Sequence, residues 1–225
     1  MSIYRIGIFC LTAGLLYGSE DSSKRLQASA EVLSEAMSAP DKGIPQDLLD
    51  KAECIVIVPG LKKGAFIVGA KYGKGFISCR HHPGFGWSAP AGVVVEGGSF
   101  GFQIGGSETD VIMLVMNKRG AEKLLSSKFT VGADASVAAG PVGRTASADT
   151  DAKMHAEILT YSRSRGVFAG VALNGATLRP DKDSNQELYG NSGRSNKEIV
   201  MGESDAPPAA SALMAELSKY SAHKD

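Results

Sequence analysis

The stretch SFGFQIGGSETDVIMLVMN, Ser99–Asn117, carries the clearest information about the fold. Gly101, Gly105 and Gly106 argue against a helix here, because a glycine in a helix interior costs about 1 kcal/mol. In a sheet, such glycines mark bulges or points where another backbone or a ligand approaches closely. The run Val111–Met116 is almost entirely apolar, as in a buried strand. The stretch therefore predicts a glycine-rich sheet.

The same pattern extends outward from this stretch in both directions. Strand-like runs separated by glycine and proline turns are Ile55–Val58, Ala65–Lys71, Gly75–Arg80, Gly92–Glu96, Ser99–Ile104, Val111–Met116, Thr130–Ala139, Ile158–Arg163 and Val167–Leu173. Helical spacing predicts helices over Ser22–Met37, after Pro45, over Lys118–Ser126 and Asn185–Tyr189, and in the tail. Strand runs flanked by separate helices predict an α+β fold. We expect a glycine-rich, mainly antiparallel β-sheet core with N-terminal helices and short peripheral helices.

The N-terminus, MSIYRIGIFCLTAGLLYGSEDSSK, has the pattern of a secretory signal peptide. Arg5 precedes the uncharged apolar run Ile6–Tyr17, which is shorter than the roughly 20 residues that span a membrane. We expect a signal peptide over residues 1–19, a single domain over 20–202 and a C-terminal tail over 203–225. The prediction is an exported bacterial protein, periplasmic or peripheral to an envelope membrane. A buried N-terminal helix or strand is the alternative.

Charge and cysteine content narrow the class of protein. The chain has 225 residues, with 24 Lys and Arg against 24 Asp and Glu, so its composition does not favour nucleic-acid binding. If Cys10 leaves with the signal peptide, Cys54 and Cys79 remain, and an even pair permits a disulfide in an oxidising compartment. Each lies in an apolar run where cysteine acts as a small hydrophobe, so we expect two free thiols.

Three short motifs have chemical interpretations that their context does not support. Gly97–Gly101 matches the nucleophile-elbow pattern, but the sequence after Ser99 does not form the helix that this motif requires. Cys79–His82 lacks the second ligand pair of a zinc site. Asp181–Asn185 begins like a calcium loop without its later glycine and glutamate, which leaves only a loose cation site near Asp181 open. We therefore predict no enzyme activity, no cofactor and no metal.

One charge pattern points to a surface. No acidic residue lies between Glu53 and Glu96, and five cations share that segment: Lys62, Lys63, Lys71, Lys74 and Arg80. Gathered on one face of a sheet, each could contribute about 1 kcal/mol to binding an anionic membrane. The alternative is that these cations are scattered turn residues.

Three segments together resemble the SYLF-domain family, also called the Las17-binding or actin-regulator domain. They are Ser99–Asn117, GADASVAAGPVGR at 132–144, and YSRSRGVFAGVALNGATLRPD at Tyr161–Asp181, within a similarity from about Leu26 to about Gly190. The resemblance implies a non-catalytic module that binds membrane lipid, and eukaryotic members bind phosphoinositides (phosphatidylinositol binding).

The resemblance and the charge pattern together define a predicted site. We expect an anionic phospholipid or membrane surface as the partner, without nucleic acid. The predicted lipid-binding residues are Lys62, Lys63, Lys71, Lys74, Arg80 and Trp87. Trp87 suits a membrane interface because its ring is amphipathic, although packing in the core is equally consistent with its sequence context. An envelope structural or protein-interaction domain without lipid specificity is the alternative function.

Overall fold

A computed structural model describes residues 19–39, 43–65, 68–81, 86–100, 105–143, 156–164, 167–171, 173–190, 193–202 and 204–221. Its helices are α1 (Ser19–Ser38), α2 (Gln46–Lys51), α3 (Lys118–Leu124), α4 (Lys182–Tyr189), α5 (Asn196–Met201) and α6 (Ser211–Tyr220), with a 3-10 turn at Pro208–Ala210. Its strands are β1 (Cys54–Ala65), β2 (Val68–Cys79), β3 (Ala91–Phe100), β4 (Gly105–Val115), β5 (Phe129–Thr130), β6 (Val137–Ala139), β7 (Ile158–Ser164), β8 (Val167–Gly170) and β9 (Thr177–Pro180). The predicted α+β fold is confirmed.

The described strands form one sheet in the order β5-β9-β3-β2-β1-β4-β7-β6, with β8 also paired to β7. The pairings are antiparallel except for β6 with β7, which is parallel. This order places the β1–β2 hairpin between β3 and β4. The four long strands of the centre run past the short outer strands, because β9 pairs only with residues 93–96 of β3 and β7 only with residues 110–115 of β4.

Side chains alternate across the sheet and build two apolar layers. On one face, Val56, Ile77 and Met113 pack in a cluster that includes residues of α3 and α5; we call this the α3 face. On the other, Ile57 and Phe76 pack with residues of α1, α2 and α6; we call this the α1 face. Each large buried aliphatic side chain contributes about 1.5–3 kcal/mol. Both faces are therefore core surfaces where helices cover them.

The C-terminal tail supplies part of this core. Leu213 and Leu217 of α6 are buried in the same cluster as Leu26 and Leu33 of α1. Their spacing of four residues places both on one side of the helix. The segment after residue 203 thus packs against the N-terminal helix.

Several predicted strands differ from the structure. The predicted break between Gly92–Glu96 and Ser99–Ile104 is wrong, because β3 runs from Ala91 to Phe100, and residues 101–104 lie outside the described set. The predicted strand Ala65–Lys71 is wrong, because β1 ends at Ala65 and β2 begins at Val68, with residues 66–67 outside the described set. The predicted strand Thr130–Ala139 is also wrong. It is interrupted by a turn in which Gly132 has a φ of 85°, a conformation that glycine adopts without steric cost.

The two cysteines form a disulfide, so the prediction of free thiols is wrong. Cys54 and Cys79 are direct partners in the β1–β2 ladder. The next pair outward exchanges a backbone hydrogen bond, Arg80 N–H to the Glu53 carbonyl at 2.8 Å, which makes 54–79 a non-hydrogen-bonded pair. Side chains approach each other most closely at such pairs. Sequence context showed that both sites are apolar but could not show that they face each other.

Candidate functional site

A bulge in β1 sets which side chains face which layer at the free end of the sheet. The pairing of β1 with β4 shifts register between Val58 and Leu61, so both residues lie on the α3 face. Gly60 within the bulge has a φ of 61°, and its N–H donates to the Asp110 carboxylate at 2.9 Å. Beyond the bulge the alternation resumes. Lys63 therefore points to the α3 face, and Lys62 points to the α1 face.

Lys63 and Lys71 form the central feature of this end of the sheet. They are direct partners across β1 and β2, so their Cα atoms are about 5 Å apart, and both side chains share the α3 face. Both residues are half-buried. Burial and the neighbouring Lys63 charge lower the pKa of Lys71. Two like charges held directly opposite each other destabilise a sheet unless an anion lies near them.

The flanking ladder positions supply no carboxylate to this pair. Ser107 of β4 is the partner of Lys63, and Gly97 of β3 is the partner of Lys71. Within the described part of the chain, neither lysine takes part in an ion pair. The outermost residues on the α1 side of these strands, Gly64, Ala70, Gly98 and Gly106, are exposed. The free end of the sheet thus projects beyond the helices that cover its other end.

The other two predicted lysines have different surroundings. Lys62 is exposed on the α1 face, next to Tyr72 on one side and Glu108 on the other. Lys74 lies on the same face and forms an ion pair with Asp181, with Nζ and Oδ2 at 2.9 Å. The structure therefore places the four lysines in different surroundings. Of these four, Lys63 and Lys71 lie directly opposite each other with no acidic residue at the flanking ladder positions.

Arg80 and Trp87 are buried, at 5% and 4% exposure, so their assignment to a membrane-facing surface does not fit the structure. Arg80 donates to the carbonyls of Ala52 (3.2 Å), Leu49 (3.0 Å) and Ser221 (2.8 Å). Its guanidinium carbon lies 4.1 Å from the centroid of the Trp87 ring. The Trp87 indole N–H also donates to Ser221, at 3.0 Å. Core packing, the alternative for Trp87, is what the structure shows.

Comparison of the sequence with known proteins shows which family the chain belongs to. Residues 96–220, more than half of the chain, match the family described as Ysc84, "Las17-binding protein actin regulator". The chain belongs to this family. It is 33% identical over 191 residues to SH3 domain-containing YSC84-like protein 1 of Xenopus laevis, covering 82% of this chain and 56% of that protein. It is 34% identical over 177 residues to LAS seventeen-binding protein 3 of Saccharomyces cerevisiae, covering 77% of this chain and 38% of that protein.

The human protein of the same YSC84-like name is 32% identical over 196 residues, covering 87% of this chain and 56% of that protein. The chain therefore spans about half the length of the two YSC84-like relatives named above. None of these names denotes an enzyme, and the family description concerns the regulation of actin. The similarity to the SYLF-type family inferred from the sequence is thereby confirmed.

In this Ysc84-family chain the three chemical motifs have structural roles. Ser99 lies within β3 opposite Gly69, not at a strand-to-helix turn. Cys79 is in the disulfide and cannot offer a thiolate to a metal. Among the described residues, no group of three or more His, Cys, Asp or Glu side chains is arranged to hold a metal ion.

Asp181 has a role that the sequence did not reveal. It caps α4 by accepting from the Ser184 N–H at 3.4 Å and the Ser184 hydroxyl at 2.8 Å. Burial alone would raise the pKa of Asp181, but Lys74 and Ser184 outweigh it and hold that pKa below its usual value. Asp181 is therefore the N-cap of α4.

No helix in the described ranges is both long enough and apolar enough to cross a membrane.

Proposed function

We propose that this domain binds anionic membrane surfaces through Lys63 and Lys71, on the α3 face at the free end of the sheet. The observation that carries the proposal is the direct pairing of these lysines across β1 and β2 with no carboxylate at the flanking positions. Their ammonium groups repel each other, and an anionic headgroup between them relieves that repulsion. The proposed role is non-catalytic binding.

The contribution of Lys63 and Lys71 to membrane affinity should be modest and should depend on salt. Each lysine near an anionic surface is worth about 1 kcal/mol, so the pair accounts for about 2 kcal/mol, or roughly 30-fold in affinity. Because the Debye length falls to about 3 Å at 1 M salt, this contribution is lost at high ionic strength.

A protein partner is the competing function. The family and one relative are named for binding Las17, which supports a protein-interaction role on the same exposed end of the sheet. Such a partner does not require a lipid surface. Binding to protein-free vesicles therefore separates the two functions.

The test is vesicle binding with charge-matched variants. We expect the wild type to bind vesicles of phosphatidylcholine with about one third phosphatidylglycerol, and not phosphatidylcholine alone. Lys63→Gln/Lys71→Gln should weaken binding about 30-fold. The control Lys62→Gln/Lys128→Gln removes two exposed positive charges, Lys62 on the opposite face of the sheet and Lys128 between α3 and β5, and should change binding less than about threefold. Equal affinities of the two double variants, both folded by circular dichroism, would refute the assignment.

We also propose that the protein is exported. The signal-peptide pattern over residues 1–19 suggests it, and a disulfide between Cys54 and Cys79 is typical of an oxidising compartment. Mass spectrometry of the native protein should find a mature N-terminus near Ser19 and no alkylation of the two cysteines before reduction. An intact Met1 in a cytosolic fraction would contradict export.

A further inference from the structure

A cavity lies at the other end of β3 from the lysine pair and is not used by the proposed function. It has a volume of about 530 Å³, between α4, α5 and the residues that follow α3. That volume falls within the range of about 300–1,000 Å³ found for small-molecule sites. The lining residues that matter here are Ser127, Lys182, Asn185, Arg194, Ser195 and Asn196.

Two buried amides, Asn185 and Asn196, contribute to this cavity, at 5% and 3% exposure. The Asn185 Oδ1 accepts from the Gly92 N–H at 2.7 Å, and its Nδ2 donates to the Asn196 Oδ1 at 2.6 Å. The Asn196 Nδ2 donates to the Gly92 carbonyl at 2.9 Å. A carboxamide has two N–H donors, so these contacts leave one N–H on each asparagine without a described acceptor. Each Nδ2 therefore keeps one N–H that can donate to a further oxygen, from a ligand or from solvent.

The two charged side chains in the described lining of the cavity are both positive. Lys182 and Arg194 are exposed cations in its lining, and none of the described lining residues is acidic. Arg194 uses Nη1 to donate to the Ser204 hydroxyl at 3.1 Å, which leaves further N–H donors. The nearby Glu198 accepts from the Ser195 N–H and hydroxyl through one oxygen, Oε2, at 2.7 and 2.8 Å, and its negative charge also interacts with Arg194. Among the described lining residues, positive charge thus exceeds negative charge.

We infer that this cavity binds a small anionic ligand that carries a phosphate or carboxylate group. The oxygens of that group accept from the free N–H of Asn185 and of Asn196. Its charge is balanced by Lys182 and Arg194, whose charge-assisted hydrogen bonds are stronger than neutral ones. The cavity is separate from the Lys63–Lys71 pair, because Gly92 lies at the beginning of β3 and Gly97, beside Lys71, lies near its other end.

Isothermal titration calorimetry on the full chain tests this inference, with inorganic phosphate and citrate as probes and sodium chloride at matched ionic strength as reference. We expect saturable binding of at least one probe, and the probe that binds identifies the phosphate or the carboxylate class. Lys182→Gln/Arg194→Gln should weaken it about tenfold, since charged hydrogen bonds are lost.

Two matched double variants act as controls. Lys128→Gln/Lys197→Gln removes two exposed charges outside the lining and should leave binding unchanged, and Lys63→Gln/Lys71→Gln should also bind normally. No saturable heat from either probe overturns the inference. Binding that survives Lys182→Gln/Arg194→Gln, or that is lost in Lys63→Gln/Lys71→Gln, also overturns it.

Discussion

The two ends of the β1–β2 hairpin use the same kind of residue for opposite purposes. At the free end, Lys63 and Lys71 face each other on a half-buried surface without a carboxylate beside them. At the other end, Arg80 is enclosed by backbone carbonyls from α2 and the C-terminus. All three belong to one acid-free segment. A cation without acidic neighbours in sequence is therefore a surface group or a structural group according to which acceptors the fold brings to it.

The acceptors around Arg80 explain why a buried cation is stable there. Leu49 lies at the C-terminal end of α2 and Ala52 is the residue that caps this end, where helix carbonyls have room for further donors. The helix dipole also favours a positive charge at this end. Ser221 adds its carbonyl from the residue that follows α6. Arg80, the residue after β2, thus holds the end of α2 and the residue after α6 together through hydrogen bonds.

The largest expected effect follows from removing this group. Arg80→Met keeps an apolar stem but removes the described donor of the Ala52 carbonyl and one of the two donors of the Leu49 and Ser221 carbonyls, so the free energy of unfolding should fall by about 3 kcal/mol. Urea denaturation monitored by Trp87 fluorescence measures the change. Vesicle affinity of the folded variant should stay at the wild-type value. A fall in the free energy of unfolding below about 1 kcal/mol would contradict the structural role of Arg80. A loss of vesicle binding without a loss of stability would show that Arg80 belongs to the binding surface instead.

Lys74 provides an intermediate case, because its charge is matched by Asp181. Asp181→Asn keeps a side chain able to cap α4 while removing the charge, and should lower the free energy of unfolding by about 1 kcal/mol at pH 7. Since the pKa of Asp181 is held below its usual value, its charge stabilises the fold above the unfolded pKa of about 3.9. That contribution disappears as the pH falls through the folded pKa.

Denaturation of both proteins across acid pH checks this sign. The gap in stability between wild type and Asp181→Asn should shrink as the pH is lowered from 5 towards about 2. A gap that is independent of pH would show that the ion pair with Lys74 contributes nothing to it.

The sequence predicted the class of fold because glycine-rich strand runs and helical spacing are local signals. Lys62 and Lys63 are adjacent, and adjacent residues in a strand point to opposite faces. The sequence therefore also indicates that these two lysines do not share a face if both lie in one strand. The carbonyl groups that accept hydrogen bonds from Arg80 could not be predicted from the sequence. Ser221 is 141 residues from Arg80 in sequence, and no local pattern connects them. The disulfide depends on the register of β1 against β2, and the face of Lys63 depends on the bulge at Gly60.

Lysine footprinting tests the central claim residue by residue without any mutation. The chain is acetylated with an amine-reactive reagent, with and without anionic vesicles, and the modified positions are quantified by mass spectrometry. Burial and Lys63 lower the pKa of Lys71, which makes its neutral, reactive amine more abundant in the free protein. We predict that vesicles protect Lys63 and Lys71 and leave Lys62 and Lys128 reactive. Unchanged reactivity of Lys63 and Lys71 in vesicle-bound protein, or equal protection of all four lysines, would contradict the assignment of this face.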